Sequence, residues 1–116
     1  MTQEPTPVYQ PRDVVYGSDP FKQGEAGRPW LVVSNFPDRP FHGDQYVALT
    51  LTTKSWMDGL IDVQEDDWVR GGTPEPSRIV PWGVQSLGVE EIDHWQGRIA
   101  QAPFEEAVDA LVAELR

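Results

Sequence analysis

No strand-forming run in this chain extends far before proline or glycine interrupts it; the 116 residues include 11 prolines and 10 glycines. Proline removes a ladder donor and glycine admits turn conformations, so the fold must be built from short strands joined by tight loops. Five such strands can be read: "DVVYG" (13 to 17), "PWLVVSN" (29 to 35), "QYVALTLTT" (45 to 53), "GLIDVQ" (59 to 64) and "SRIVPWGVQSLG" (77 to 88). The second is almost continuously apolar, as a strand covered on both faces must be. The last contains Pro81, which implies a bulge, a bend or an edge at that point. The joining segments "SDPFKQGEAG", "FPDRPFHGD" and "GGTPEP" are turn-rich. The expectation is a mainly β fold, an antiparallel and strongly bent small barrel or sandwich.

Two segments predict helix. "VEEIDHW" (89 to 95) follows a glycine and stops before Gly97, giving about two turns. "PFEEAVDALVAELR" (103 to 116) starts with proline, carries glutamates in its first turn and ends in arginine, all favourable for the helix dipole. Its Phe104, Val108, Leu111, Val112 and Leu115 recur at helical spacing and predict a stripe packed on the barrel. Residues 1 to 9 are polar and proline-rich and predict a disordered start, leaving 10 to 116 as one domain. A chain of this length removes roughly 65% of its unfolded surface from water, enough for a single core.

The absence of cysteine excludes disulfides and thiolate metal sites. No signal-peptide pattern or apolar stretch of membrane-spanning length is present, so a cytoplasmic location is expected. The net charge of -10 argues, taken globally, against a polyanionic ligand. Mapped along the chain, the acidity is uneven: residues 1 to 54 hold five basic and six acidic side chains, residues 55 to 116 four and thirteen. The first half is nearly neutral and can still meet an anion. An acidic surface with only two lysines, Lys22 and Lys54, is also the pattern of a protein adapted to high salt.

Metal chemistry finds little support. His42 and His94 lie in unrelated contexts, the first in a loop turn and the second on the surface of the expected helix. "QEDDW" (64 to 68) lacks the alternating pattern of a calcium loop and reads as a solvated turn or helix start. More informative is Arg28, a permanent cation at the entrance to a strand. In "ALTLTTKSW", Thr50 and Thr52 project to one side and Leu49, Leu51 and Thr53 to the other. If these two strands are antiparallel neighbours, Arg28 reaches the end where Thr52 and Thr53 sit. It is then either a clamp on a loop carboxylate such as Glu25 or a reagent aimed at an anion.

The order of motifs bears on that choice. "RDVVYGSDP", "GEAGRPWLVVSN", "ALTLTTKSW", "DDWVRGG", "PSRIVPWGV" and "HWQGRIA" follow one another from residue 12 toward a terminal helix ending near 115. In that order they resemble the PemK/MazF family, the toxins of toxin and antitoxin pairs. The resemblance implies an SH3-like β-barrel with a short helix and a packed C-terminal helix. It also implies a homodimer that cleaves single-stranded RNA without a metal ion or other cofactor, partnered by an antitoxin protein. The ribose 2'-hydroxyl would attack the adjacent phosphorus, giving a 2',3'-cyclic phosphate and a 5'-hydroxyl. The family's active-site arginine maps onto Arg28 and its threonine onto Thr52. Some relatives carry an acid two positions after an arginine on a late strand; here Arg78 is followed by Ile79 and Val80, which leaves Arg78 as a phosphate contact.

Single strands are held by backbone charge and base stacking. The expected RNA contacts are Lys22, Arg39, Thr53, Lys54, Trp56 and Arg78, with Phe21 and Phe36 interleaved among them. Two rival readings remain open from sequence. One is a non-catalytic barrel module that binds RNA or a protein; the other is an acidic enzyme with a carboxylate-bound metal.

Overall fold

Each of the five strand-forming runs contains a strand. The computed structural model describes residues 8–19, 27–34, 43–55 and 57–116. Within them lie β1 (Asp13–Ser18), β2 (Gly27–Val32), β3 (Gln45–Thr52), β4 (Ile61–Val63), β5 (Trp68–Gly71), β6 (Ser77–Gly88), β7 (Ile92–Ile99) and α1 (Gln101–Glu114). The seven strands form one antiparallel sheet in the order β4-β6-β3-β2-β1-β7-β5, curled into a nearly closed barrel. This is the barrel with a C-terminal helix that the sequence predicts. No helix among the described residues is long and apolar enough to cross a membrane.

Strands β1 to β3 are buried on both faces because their apolar residues run consecutively rather than alternating. Val14, Leu31, Leu49 and Leu51 join Ile61, Val63, Ile79, Ile99 and Ala107 in one core, under α1. Val15, Trp30, Val32, Tyr46, Ala48 and Leu87 form a second core on the opposite face. Residues adjacent in sequence thus enter different cores, as the two-residue period of a strand requires. Tyr9 caps the second core, its ring edge-on to Tyr46 with centroids 5.6 Å apart. Residues 1–7 of the segment expected to be disordered lie outside the described residues.

The helix expected over 89 to 95 is not formed. Val89–Glu91 make a single 3-10 turn, and the chain continues as β7. The acidic residues satisfy a local helix pattern, but β7 supplies the ladder between β1 and β5, and tertiary pairing overrides a weak local propensity. His94 consequently sits on a strand, its ring stacked on Tyr16 at 5.3 Å. The four-residue β5 was too short to be read from sequence. It follows the 3-10 turn Glu65–Asp67, which matches the turn expected for "QEDDW". Gly71 lets β5 approach β7 closely: its φ is +66°, and a Cβ there would collide with the Gln96 carbonyl.

Helix α1 begins two residues earlier than expected and packs on β4 and β6. Its buried stripe is centred on Pro103 and Ala107, with Phe104, Ala110 and Leu111 alongside. Val112 and Leu115, placed in the stripe by periodicity, are instead 41% and 75% exposed. The buried face of the helix is thus centred on Pro103 and Ala107, and Val112 and Leu115 fall outside it.

The pairing of β3 with β6 carries the irregularity that Pro81 predicts. Leu49 faces Val84 and Leu51 faces Ile79, so two steps along β3 are matched by five along β6. The surplus residues, around Pro81, bulge out of register. Pro81 itself is buried, whereas Trp82 is 44% exposed.

Candidate active site

Antiparallel β2 and β3 pair Trp30 with Thr50 and Val32 with Ala48. Continued by two residues, this register sets Arg28 opposite Thr52. Arg28 does reach the end of β3, where its Nη2 donates to the Leu51 carbonyl at 3.1 Å. The neighbour strand expected from sequence is therefore the observed one.

Beside this pair a cleft of about 430 Å³ opens between β2, β3 and the bulged part of β6. Arg28 and Lys54 bring positive charge to it, and Thr50 and Thr52 line it with hydroxyls, both from one side of β3 as their spacing requires. Trp82, Val84 and Met57 supply apolar wall. Gln85 adds an amide. The volume lies within the range of small-molecule sites, about 300 to 1,000 Å³.

Arg28 makes the contacts of a clamp and also lines the cleft. A guanidinium has five N–H donors in a fixed fork. One Nη holds the Leu51 carbonyl, and the other lies 3.5 Å from the Asp19 carboxylate. Nε is buried without a hydrogen-bond partner. The Asp19 side chain is only 4% exposed, while that of Arg28 is 26% exposed and lines the cleft. The clamp thus orients the cation rather than sequestering it. Its carboxylate partner is Asp19; Glu25 lies outside the described residues.

Thr52 is also held in place. Its Oγ1 accepts the Lys54 backbone N–H at 3.2 Å, which turns the chain at the end of β3 and leaves the hydroxyl proton available to another acceptor. Arg78 stands opposite Thr52 on β6. Its guanidinium is engaged away from the cleft: Nε pairs with Asp62 at 3.0 Å and Nη1 donates to the Thr53 carbonyl at 3.1 Å. Thr53 contributes this carbonyl and does not line the cleft. Lys22, Arg39 and Trp56 lie outside the described residues. Arg28, Thr52 and Lys54 are therefore brought together, with Arg78 and Thr53 immediately behind them.

Sequence reasoning missed Asp19 and Trp82. Asp19 directly follows β1, and only the pairing of β1 with β2 brings it to Arg28. Trp82 carried a usable signal, because a bulge at Pro81 inverts the alternation that would otherwise have placed its neighbours.

A larger cleft of about 550 Å³ lies at the barrel seam between β4 and β5, rimmed by Glu65 and Glu75 and floored by Val63 and Trp68. No cation lines it, so it is unsuited to a phosphate. Among the described residues, no group of three His, Asp or Glu side chains is placed to hold a metal ion.

No family model matches the chain, and no curated protein matches it by sequence. Solved structures do match. An endoribonuclease from a Mycobacterial species, in complex with its cognate antitoxin, is 23% identical over 93% of each chain, with a TM-score of 0.70. A second Mycobacterial endoribonuclease is 24% identical over 97% of this chain and 95% of its own, with a TM-score of 0.65. MazF from Deinococcus radiodurans is 13% identical over 93% and 96%, with a TM-score of 0.70. At such identities the likeness establishes the fold, over nearly the full length of both partners.

Proposed function

We propose that this chain, which has the MazF fold, is the toxin of a toxin-antitoxin pair: a sequence-specific endoribonuclease that cleaves single-stranded RNA without a metal ion. The observation that carries this reading is the placement of Arg28 and Thr52 in one cleft, the cation oriented by Asp19 and Leu51 and the hydroxyl by Lys54. The ribose 2'-hydroxyl gives up its proton to solvent as its oxygen attacks the adjacent phosphorus, the bond from phosphorus to the 5'-oxygen breaks, and the 5'-oxygen takes a proton from solvent, so that the products are a 2',3'-cyclic phosphate and a 5'-hydroxyl.

Charge accumulates on the nonbridging oxygens as phosphorus becomes five-coordinate. The remaining guanidinium donors of Arg28 meet that charge, and Thr52 adds a neutral donor. Donors oriented before the reaction contribute about 2.7 to 4 kcal/mol each to such a transition state. Lys54 attracts the backbone of the strand. The solved relative bound to its antitoxin supports an antitoxin partner here, and the family resemblance supports a cytoplasmic homodimer.

The deciding experiment incubates the purified protein with a long RNA in EDTA and maps the new ends. Cleavage with 5'-hydroxyl ends supports the proposal; intact RNA at both low and high salt overturns it. Light scattering of the purified protein tests the dimer.

A second reading is favoured by the engagement of both Arg28 Nη groups and by the pairing of Arg78 with Asp62. It is a barrel module that binds RNA or a protein without turnover. More new RNA ends than protein molecules excludes it.

A further inference from the structure

A nucleotide carries its base and its phosphate one ribose apart, so a site that grips the phosphate must also accommodate the base. In the Arg28 cleft the wall available for that is Trp82. Its indole is 44% exposed, although tryptophan is a costly residue to leave in water. Two features of the fold hold it there. The β6 bulge at Pro81 takes Trp82 out of register with β3, and bulges near sites commonly re-aim a side chain. Gly59, at φ +85°, lies beside the six-membered ring: a Cβ on Gly59 would come within 3.3 and 3.7 Å of two ring carbons. A glycine at this position leaves room for the indole, which still lines the cleft.

We infer that Trp82 is a stacking platform for the nucleobase next to the phosphate held at Arg28, and so a residue that sets affinity and base preference in the cleft. The inference rests on the endoribonuclease reading. Stacking needs only a π-face and a positive rim, and the cleft supplies both, with Arg28 and Lys54 as the rim. Val84, 44% exposed on the same strand, extends the apolar wall.

The test uses a short 2'-O-methyl RNA spanning a cleavage site mapped with the wild-type protein, which binds without being cut. Fluorescence anisotropy measures its affinity, with each position in turn made abasic. Trp82→Ala should weaken binding about 5- to 150-fold, as loss of one base–aromatic stack does. Trp82→Phe should retain most of the affinity, and Trp82→Leu, which keeps apolar bulk without a π-face, should not. One abasic position should weaken wild-type binding and add nothing further in Trp82→Ala. Wild-type affinity in Trp82→Ala, or an undiminished abasic effect at every position in that variant, overturns the platform while leaving the endoribonuclease reading intact. Absence of any mapped cleavage by the wild-type protein removes that reading, and the platform with it.

Discussion

Arg28 in β2 donates through Nη2 to the carbonyl oxygen of Leu51 in β3, so the cation proposed to meet the phosphate is fastened to the strand that carries Thr52. Removing it should affect chemistry more than fold. Arg28→Lys keeps the charge but loses the fork that spans Leu51 and Asp19, and should slow cleavage about 100- to 1,000-fold. Its accompanying stability loss should be about 1.5–3 kcal/mol, that of one charge-assisted hydrogen bond. Single-turnover RNA cleavage and urea midpoints measure the two effects. Unchanged cleavage would remove Arg28 from the chemistry.

Asp13 provides a stability test remote from the cleft. Its carboxylate accepts the Gln10 backbone N–H at 2.7 Å, the Trp95 indole N–H at 3.3 Å and the Arg98 guanidinium at 3.0 Å. It is 8% exposed, and it ties the start of β1 to β7. Asp13→Ala leaves these donors without their acceptor and should lower stability by about 1–3 kcal/mol. The expected result is a lower urea midpoint with RNA cleavage at 25 °C unchanged.

Tyr46 sets an alkaline limit on stability. Burial pushes its pKa above the ordinary 10.0, assisted by the nearby Asp44 and Asp13, against a lowering effect of the Tyr9 backbone N–H. The folded state therefore holds the proton more tightly than the unfolded chain. This contribution is fully present below pH 10.0 and is lost as pH rises from there through the folded-state pKa. Urea midpoints should decline above about pH 10, and the decline should be shallower in Tyr46→Phe.

Salt should stabilise the protein. With a net charge of -10 and thirteen of nineteen acids in residues 55 to 116, self-repulsion is substantial at low ionic strength. The thermal midpoint is expected to rise as KCl increases toward molar concentration. A midpoint that falls instead would remove the high-salt interpretation of the composition.

The barrel was legible because its signals are local. Consecutive apolar residues at Trp30, Leu31 and Val32 announce burial on both faces, and Pro81 announces a break in its ladder. The neighbourhood of Arg28 and Thr52 was legible for the same reason, since the alternation in β3 fixes which hydroxyls share a side. What escaped depends on partners distant in sequence. Residues 92 to 95 continue a helical pattern until β1 claims their backbone, and α1 turns its small residues inward only because the sheet is there to meet them. Asp19 is invisible as a partner of Arg28 until β1 is paired with β2, and Arg78 reads as a free cation until Asp62 is placed beside it.

The out-of-register segment of β6 also separates two kinds of constraint on the chain. Leu49, Leu51, Ile79 and Val84 keep the ladder on either side of it, while Trp82 belongs to no rung. On the stacking proposal, exchange at that single position should alter what the cleft prefers while leaving the paired rungs in place. If Trp82 stacks on a base as proposed, the target sequence can change at this one position while the scaffold that surrounds it is kept.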